Sequence, residues 1–179
     1  MSSRSLYSES KRMAEVISKM FLDKALDIKI ARLAIGYGPG VKFDDKRFLS
    51  EFIKKALIQK EIKMIDQGLA KRQMGYIVDI TEMLLNVLFF GKSIVYNISG
   101  LYDEKCIKDI AQIIASNLEV KVVIPNEDKS LEGTPSVVVL DIQKYIQEFN
   151  KTHFFPIEYG IQRSIEWLKL LQEQGENND

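Results

Sequence analysis

Segments with the periodicity of strands alternate with segments with the periodicity of helices along almost the whole chain. Residues 6–26 repeat apolar side chains at three- and four-residue spacing, which predicts a helix. Residues 27–36 alternate and then become apolar, as a buried strand does. This order is typical of the α/β class. The further predicted strands are 62–65, 74–78, 93–98, 120–124 and 137–140, and further helices are predicted near Phe48, Asp79, Ile107 and Pro156.

The composition is that of a globular chain with a sizeable core and no strong net charge. Apolar residues make up 46% of the 179 residues, and Lys+Arg and Asp+Glu both count 25. No overall field attracts nucleic acid or an anionic membrane, so any anion site must be local. No apolar run suits a secretory leader or a membrane span, and we expect a cytoplasmic protein. The only histidine, His153, lies among aromatic residues and is expected to pack rather than bind a metal.

Two local patterns resemble functional motifs, but we interpret one as a turn and the other as a helix cap. The run Gly36-Tyr37-Gly38-Pro39-Gly40 lacks the G-x-G-x-x-G spacing of a phosphate loop, so we interpret it as a turn that shapes a substrate pocket. Residues 79–82 (DITE) match a capping box, which predicts Asp79 as the N-cap of the helix that follows. Tyr76 and Tyr96 are interpreted as core or core-edge aromatics.

The pattern that points to chemistry is Tyr7-Ser8-Glu9-Ser10-Lys11. Residues four apart on a helix are neighbours, so the phenol and the ammonium lie one turn apart. A nearby cation favours the phenolate form of a tyrosine. Such a group can act as general acid and base for a hydroxyl on a carbon that gives or receives hydride. By spacing alone, an exposed lysine beside a core-edge tyrosine is the alternative interpretation.

The context of this pattern resembles a known family. Tyr7-x-x-x-Lys11, followed by a strand that runs through Arg32 into Tyr37-Gly38-Pro39-Gly40, is similar to the extended short-chain dehydrogenase/reductases. Within them the likeness is to the NAD-dependent sugar-nucleotide epimerase/dehydratase group. The later segments that keep the family's order are IKMI at 62–65, RQMGYIVD at 72–79, VYNISG at 95–100, and a closing helix with Gly160, Ile161, Ile165 and Trp167.

The resemblance implies a fold and a division of the chain. The fold would be the C-terminal part of a Rossmann-type enzyme, with an incomplete parallel sheet and a small α/β substrate-binding subdomain. Residues 1–36 would be the remnant of the dinucleotide-binding domain with the Tyr-x-x-x-Lys helix. Residues 37–173 would be mostly substrate-binding subdomain, and residues 174–179 a frayed tail.

The resemblance also implies roles for three residues. Tyr7 would transfer the proton, and Lys11 would hold the nicotinamide ribose and favour the phenolate, so both would be catalytic and cofactor-binding. Arg72 would bind the diphosphate of a nucleotide sugar, since a guanidinium suits paired phosphate oxygens. A solvated loop cation beside Lys71 is the alternative for Arg72. The implied cofactor is NAD or NADP, with no metal.

Several family features do not appear in this sequence. The glycine-rich dinucleotide fingerprint and a catalytic Ser or Thr are expected before Tyr7, so we expect that the N-terminal half is missing and that the chain is inactive alone. Ile35 stands where many members have Asn. The incomplete sheet predicts association through the edge at 29–35, or a homo-oligomer.

The reaction subtype stays open between epimerase, dehydratase and decarboxylase, and residues 7–12 also resemble UDP-glucuronate decarboxylases. Two readings from other classes also stay open. One is a non-catalytic product of a truncated gene that binds a nucleotide sugar or a partner chain. The other is an unrelated small α/β binding module.

Overall fold

The computed structural model describes residues 3–22, 26–101, 105–126 and 136–176. Within these ranges the chain forms six helices and eight short strands. The helices are α1 (Ser3–Met20), α2 (Phe48–Gln59), α3 (Ile77–Phe90), α4 (Ile107–Leu118), α5 (Gln143–Phe149) and α6 (Ile157–Glu176). The strands are β1 (Ile30–Leu33), β2 (Ile35–Tyr37), β3 (Glu61–Lys63), β4 (Lys71–Arg72), β5 (Met74–Tyr76), β6 (Val95–Ile98), β7 (Lys121–Val123) and β8 (Val137–Val138).

The strand ladders between these elements are all parallel. β1 pairs with β6, β2 with β5, β3 with β7 and β4 with β8. Parallel neighbours need long crossover connections, and helices such as α3 and α4 supply them here. The predicted α/β class with an incomplete parallel sheet is therefore confirmed.

The predicted single strand at 27–36 divides in two at Ala34. Its first part, β1, pairs with β6, and its second part, β2, pairs with β5. Ala34 still donates its backbone N–H to Ile98 O at 3.0 Å before the partner changes. The two partner strands, β6 and β5, are linked at this point by a backbone hydrogen bond. Gly100 N, just after β6, donates to Met74 O of β5 at 3.2 Å. The approach is close enough that a side chain on Gly75 would clash with the Gly100 backbone.

The larger hydrophobic core lies between α2, α4 and α6 and strands β3 and β5. Ile53, Ile62, Ile114, Ile161 and Leu168 are each fully buried there. The inward face that the sequence predicts for the last helix is confirmed, since Ile161, Ile165 and Leu168 all belong to this core. A smaller core of Ile80, Met83, Val87, Tyr96, Ile98 and Tyr145 lies under α3, β6 and α5.

The apolar stripe predicted on the first helix is present on α1 but uncovered in the described structure. Met13, Val16, Ile17 and Met20 are 58%, 55%, 46% and 68% exposed. The helix itself is shorter at its C-terminal end than the predicted 6–26, since α1 ends at Met20 and residues 23–25 lie outside the described ranges.

The capping assignment of Asp79 is wrong. Helix α3 begins at Ile77, with Tyr76 at the N-cap position, so Asp79 lies inside the first turn. Its carboxylate is instead almost fully buried, 3.0 Å from Lys151 Nζ, and accepts a hydrogen bond from Phe155 N. Lys151 also bonds Glu82 at 2.9 Å. Burial alone lowers the pKa of Lys151, but the hydrogen bonds and charges of the two carboxylates outweigh it and raise the pKa.

Two further differences from the sequence expectations concern the C-terminal part. Helix α5 was not among the predicted elements; it follows Asp141, whose carboxylate accepts a hydrogen bond from Gln143 N at 2.8 Å. The predicted frayed tail at 174–179 is helical as far as Glu176, and residues 177–179 lie outside the described ranges.

We expect the replacement Asp79→Ala to lower the free energy of unfolding by about 3 kcal/mol or more, because it leaves the Lys151 ammonium buried beside a single, half-exposed carboxylate. Urea denaturation followed by circular dichroism measures this change. Glu82→Gln is the matched control, since Glu82 contacts the same ammonium but is 51% exposed, and its loss should cost less than about 1 kcal/mol. Equal effects of the two replacements would contradict the assignment.

Candidate active site

Helix α1 brings the predicted phenol and ammonium to the same side. Lys11 Nζ lies 5.5 Å from the centre of the Tyr7 ring, and the Tyr7 side chain is 64% exposed. The turn between them carries a further hydrogen bond from Ser10 Oγ to Tyr7 O at 2.7 Å. The phenol is therefore accessible to solvent and has an ammonium beside its ring.

A bidentate ion pair joins α1 to the strand beneath it. Arg32 of β1 donates from Nε and Nη2 to the two carboxylate oxygens of Glu15, at 2.8 and 2.7 Å. The hydrogen bond from Arg32 lowers the pKa of Glu15, and the same bond raises the pKa of Arg32. Paired, charge-assisted bonds fix orientation as well as distance. They set the direction in which α1 presents Tyr7.

Arg72 lies on β4, at the opposite side of the site. Its Nη1 donates to Lys71 O at 2.7 Å and, at 3.4 Å, to Ser136 O, which precedes β8. The side chain is half-buried and is held by the backbone of the β4–β8 ladder. A guanidinium anchored in this way keeps its planar fork in one place.

One cavity brings Tyr7 and Arg72 together, although they are far apart in sequence. It has a volume of about 300 Å³ and lies between the start of α1, the segment around Ala34, and the β4–β8 ladder. It is also lined by Leu33, Ala34, Ile35, Gln73, Val138 and Leu140. Lys11 lines a separate groove of about 510 Å³ between α1 and β1, which Tyr7 also borders. Tyr7 therefore stands at the junction of the two spaces.

The glycine-rich turn does not line this cavity. Gly36, Tyr37 and Gly38 border a separate narrow cavity beside α2, and only Ile35, at the start of β2, faces the space shared by Tyr7 and Arg72. Gly38 and Gly40 have φ values of 143° and 100°, which explains the glycines at these two positions. The interpretation of the whole run as a turn is wrong for Gly36 and Tyr37, which belong to β2 and pair with β5, so the turn begins at Gly38.

Three other residues singled out in the sequence, Tyr76, Tyr96 and His153, contact neighbouring side chains. Tyr76 is buried against Tyr37 and Phe155, and this burial raises its pKa. Tyr96 is buried and donates its hydroxyl to Glu148 at 2.8 Å. His153 contacts the ring of Phe155 edge-on at 5.5 Å but is exposed. The described residues hold no group of three His, Cys, Asp or Glu side chains placed to bind a metal.

Sequence reasoning missed Gln73, which organises the floor of the cavity. This side chain is 5% exposed, donates from Nε2 to Gly100 O at 2.8 Å, and accepts from Leu140 N at 2.6 Å. It therefore holds the segment after β8 against the end of β6. A glutamine next to an arginine has no periodic signal that would reveal this role.

Comparison with known proteins identifies the family. The model of the NAD dependent epimerase/dehydratase family matches residues 1–99 of the 179-residue chain. The chain is a member of the NAD-dependent epimerase/dehydratase family. The predicted family is thereby confirmed. The predicted cofactor, NAD or NADP, is confirmed as the cofactor of this family.

Individual proteins match most of the chain. UDP-glucuronic acid decarboxylase 1 of Xenopus tropicalis is 23% identical over 98% of the chain, which spans 41% of that protein. A GDP-L-fucose synthetase of Naegleria fowleri, solved with NADP, superposes with a TM-score of 0.84 at 18% identity, covering 97% of this chain and 58% of that one. UDP-glucuronic acid 4-epimerase of Bacillus cereus, solved with UDP-glucuronic acid and NAD, gives 0.69 at 24% identity, with 82% and 46% covered.

These likenesses confirm the Rossmann-type extended short-chain dehydrogenase fold. The chain spans about two fifths of the length of the curated relative that it matches. None of the helices in the described part of the chain combines the length and the apolar character that a bilayer crossing needs. The cytoplasmic location, the division of the chain into domains, and the roles of Tyr7, Lys11 and Arg72 stay predictions.

Proposed function

We propose that this chain supplies the proton-transfer pair and the phosphate-binding arginine of a nucleotide-sugar epimerase or dehydratase. The observation that supports this function is the shared cavity, which both Tyr7 and Arg72 line. Membership of an NAD-dependent family agrees with it. Activity would need the part of the enzyme that holds the dinucleotide, so the chain alone is proposed to be inactive.

In this function Tyr7 is the general base and acid. As the phenolate, it takes the proton from a sugar hydroxyl while the carbon of that hydroxyl loses hydride and becomes a ketone. A bound NAD or NADP would supply the acceptor for this hydride and the donor for its return. Lys11 Nζ lies 5.5 Å from the centre of the same ring and would assist Tyr7 at this position. After the intermediate has reacted, the phenol gives the proton back as the ketone is reduced.

Arg72 would bind the diphosphate of the same substrate. The Nη1 of its guanidinium donates to Lys71 O and Ser136 O, which holds the side chain in place. A diphosphate at this end of the cavity would place the attached sugar toward Tyr7. Holding the reacting carbinol at a fixed distance from its base removes much of the orientational cost of the reaction.

The residues present fit only one end of a dinucleotide. Tyr7 and Lys11 border a common groove and can receive a ribose hydroxyl there. The glycine-rich turn does not suit a pyrophosphate, because Gly40 is separated from the start of α2 by residues 41–47, whereas pyrophosphate sites use a helix N-terminus directly after the turn. This chain is therefore proposed to contact the nicotinamide ribose of the dinucleotide and not its pyrophosphate.

A second candidate is a decarboxylase that acts on a nucleotide-linked uronic acid. The observation in its favour is the set of curated relatives, which includes UDP-glucuronic acid decarboxylases of Xenopus tropicalis and Arabidopsis thaliana. The first oxidation at Tyr7 would be the same in both functions. They differ in what the ketone intermediate does next.

We expect the chain to bind UDP or dTDP, and Arg72→Ala to weaken this binding about tenfold or more, because it removes charge-assisted bonds to the phosphates. Isothermal titration calorimetry, or protein-observed NMR for weak binding, measures the affinity. Arg12→Ala is the control, since Arg12 is an exposed cation paired only locally with Glu9. Absence of binding, or binding that Arg72→Ala leaves unchanged, would count against the proposed function.

We expect NAD to give no measurable heat of binding with this chain under the same conditions. The physical reason is that, within the described residues, no glycine-rich turn leads directly into a helix that could receive the pyrophosphate. The nucleoside diphosphate serves as the positive control in the same calorimeter. Tight NAD binding would show that residues of this chain hold the whole cofactor, contrary to the proposal.

The chain is also proposed to associate through α1 and the edge of β1. In the described structure β1 has a partner on one side only, and the α1 stripe beside it is exposed. Sedimentation velocity at low and high protein concentration should show association that Ile17→Glu reduces. Leu170→Glu on α6 is the control, with 45% exposure against 46% for Ile17. A wild-type chain that stays monomeric throughout would refute this part of the proposal.

A further inference from the structure

The segment that contains β8, residues 136–140, is held against β4 by a short ladder. The two strands share only two residue pairs. Val137, Val138 and Val139 are 51%, 44% and 42% exposed, so these side chains bury little apolar surface. The position of this segment therefore depends more on hydrogen bonds than on burial.

Gln73, which follows β4, extends this short ladder with both its backbone and its side chain. Its backbone N donates to Val138 O at 3.1 Å, and its Oε1 accepts from Leu140 N at 2.6 Å. The other end of the side-chain amide, Nε2, donates to Gly100 O at 2.8 Å. Because the Gln73 side chain is only 5% exposed, water would replace a lost bond poorly. One amide thus connects residues 136–140 to the end of β6.

The same segment carries a hydrogen-bond partner of Arg72. Ser136 O accepts from Lys71 N at 2.8 Å and from Arg72 Nη1 at 3.4 Å. A movement of the segment away from β4 would withdraw this carbonyl from the guanidinium. Arg72 Nη1 also donates to Lys71 O, which belongs to β4 itself. Loss of the Gln73 amide should therefore loosen the guanidinium without releasing it.

From these contacts, and resting on the proposed function, we infer that Gln73 is a positioning residue for Arg72. Its side-chain amide fixes residues 136–140 between β4 and the end of β6. This segment in turn keeps the Arg72 guanidinium where a diphosphate would meet it. In this role Gln73 acts on ligand binding through Arg72, so the effects of replacing the two residues should be coupled.

The test is a double-mutant cycle on the full chain with Gln73→Met, Arg72→Ala and the variant that carries both. Methionine keeps the unbranched shape of glutamine but supplies neither hydrogen bond. The probe is whichever of UDP and dTDP binds more tightly, and protein-observed NMR titration gives its dissociation constants. We expect Gln73→Met to weaken binding about fivefold in the wild-type chain, but less than about twofold when residue 72 is already alanine.

Asn97→Ala is the matched control. Asn97 Nδ2 donates to Asp141 O at 2.8 Å, so it connects the residue after the same segment to β6 by a single exposed bond. Loss of an exposed bond is largely compensated by water, and the affinity should change by less than about twofold. If Asn97→Ala weakens binding as much as Gln73→Met, the effect does not belong to Gln73 and the inference is overturned.

A second measurement follows the segment without any ligand. Amide hydrogen exchange at Leu140, recorded by NMR, should be about fivefold faster or more in Gln73→Met than in the wild-type chain. Gln73→Asn keeps the amide but is one methylene shorter, so it cannot keep both bonds. It replaces Gln73→Met in the cycle if circular dichroism shows that the methionine variant is unfolded. Unchanged exchange at Leu140 in a folded variant would contradict the inference.

The cycle also distinguishes failure of this inference from failure of the proposed function. If neither nucleotide binds, or Arg72→Ala leaves the affinity unchanged, the proposed function fails and the inference fails with it. If Arg72→Ala weakens binding but Gln73→Met does not, the chain has a nucleotide site that Gln73 does not position. Equal losses from Gln73→Met in both backgrounds lead to the same conclusion, because Gln73 would then act independently of Arg72.

Discussion

The change of strand partner at Ala34 is the constraint on which the site depends. Up to Leu33 the chain runs beside β6, and from Ile35 it runs beside β5. The first ladder lies beside α1, which carries Tyr7, and the second leads directly to Gln73 and Arg72. Because one short segment belongs to both ladders, helix α1 with Tyr7 and strand β4 with Arg72 border a common cavity. A slip of one residue in either ladder would turn Ile35 away from that space.

The order of helices and strands could be predicted because apolar periodicity is a local property of the sequence. The partner change at Ala34 could not, since alternation shows that a segment is a strand but not which strand lies beside it. The capping box at Asp79 misled for a related reason. Its residue spacing is correct, but the helix begins earlier, and the ion pair that holds Asp79 comes from Lys151, which lies far along the chain.

In the site, too, residues that belong to a sequence motif could be predicted, whereas contacts between residues far apart in the sequence could not. Tyr7, Lys11 and Arg72 could be proposed from a family resemblance that extends over most of the chain. The other residues that line the cavity of Tyr7 and Arg72 could not, because Leu33 and Ile35 are far in sequence from Val138 and Leu140. Gln73 gave no signal either, since its role consists of bonds to two distant backbone groups. These contacts exist only after the strands have paired.

The exposed stripe on α1 has a consequence for the life of the protein in a cell. A row of methionine, valine and isoleucine side chains in water is the kind of surface that chaperones retain and proteases reach. A copy whose stripe is covered would not be bound by chaperones or cleaved by proteases at this surface, whereas an uncovered copy would be open to both. The steady-state amount of the chain would then follow the supply of whatever covers the stripe rather than its own rate of synthesis.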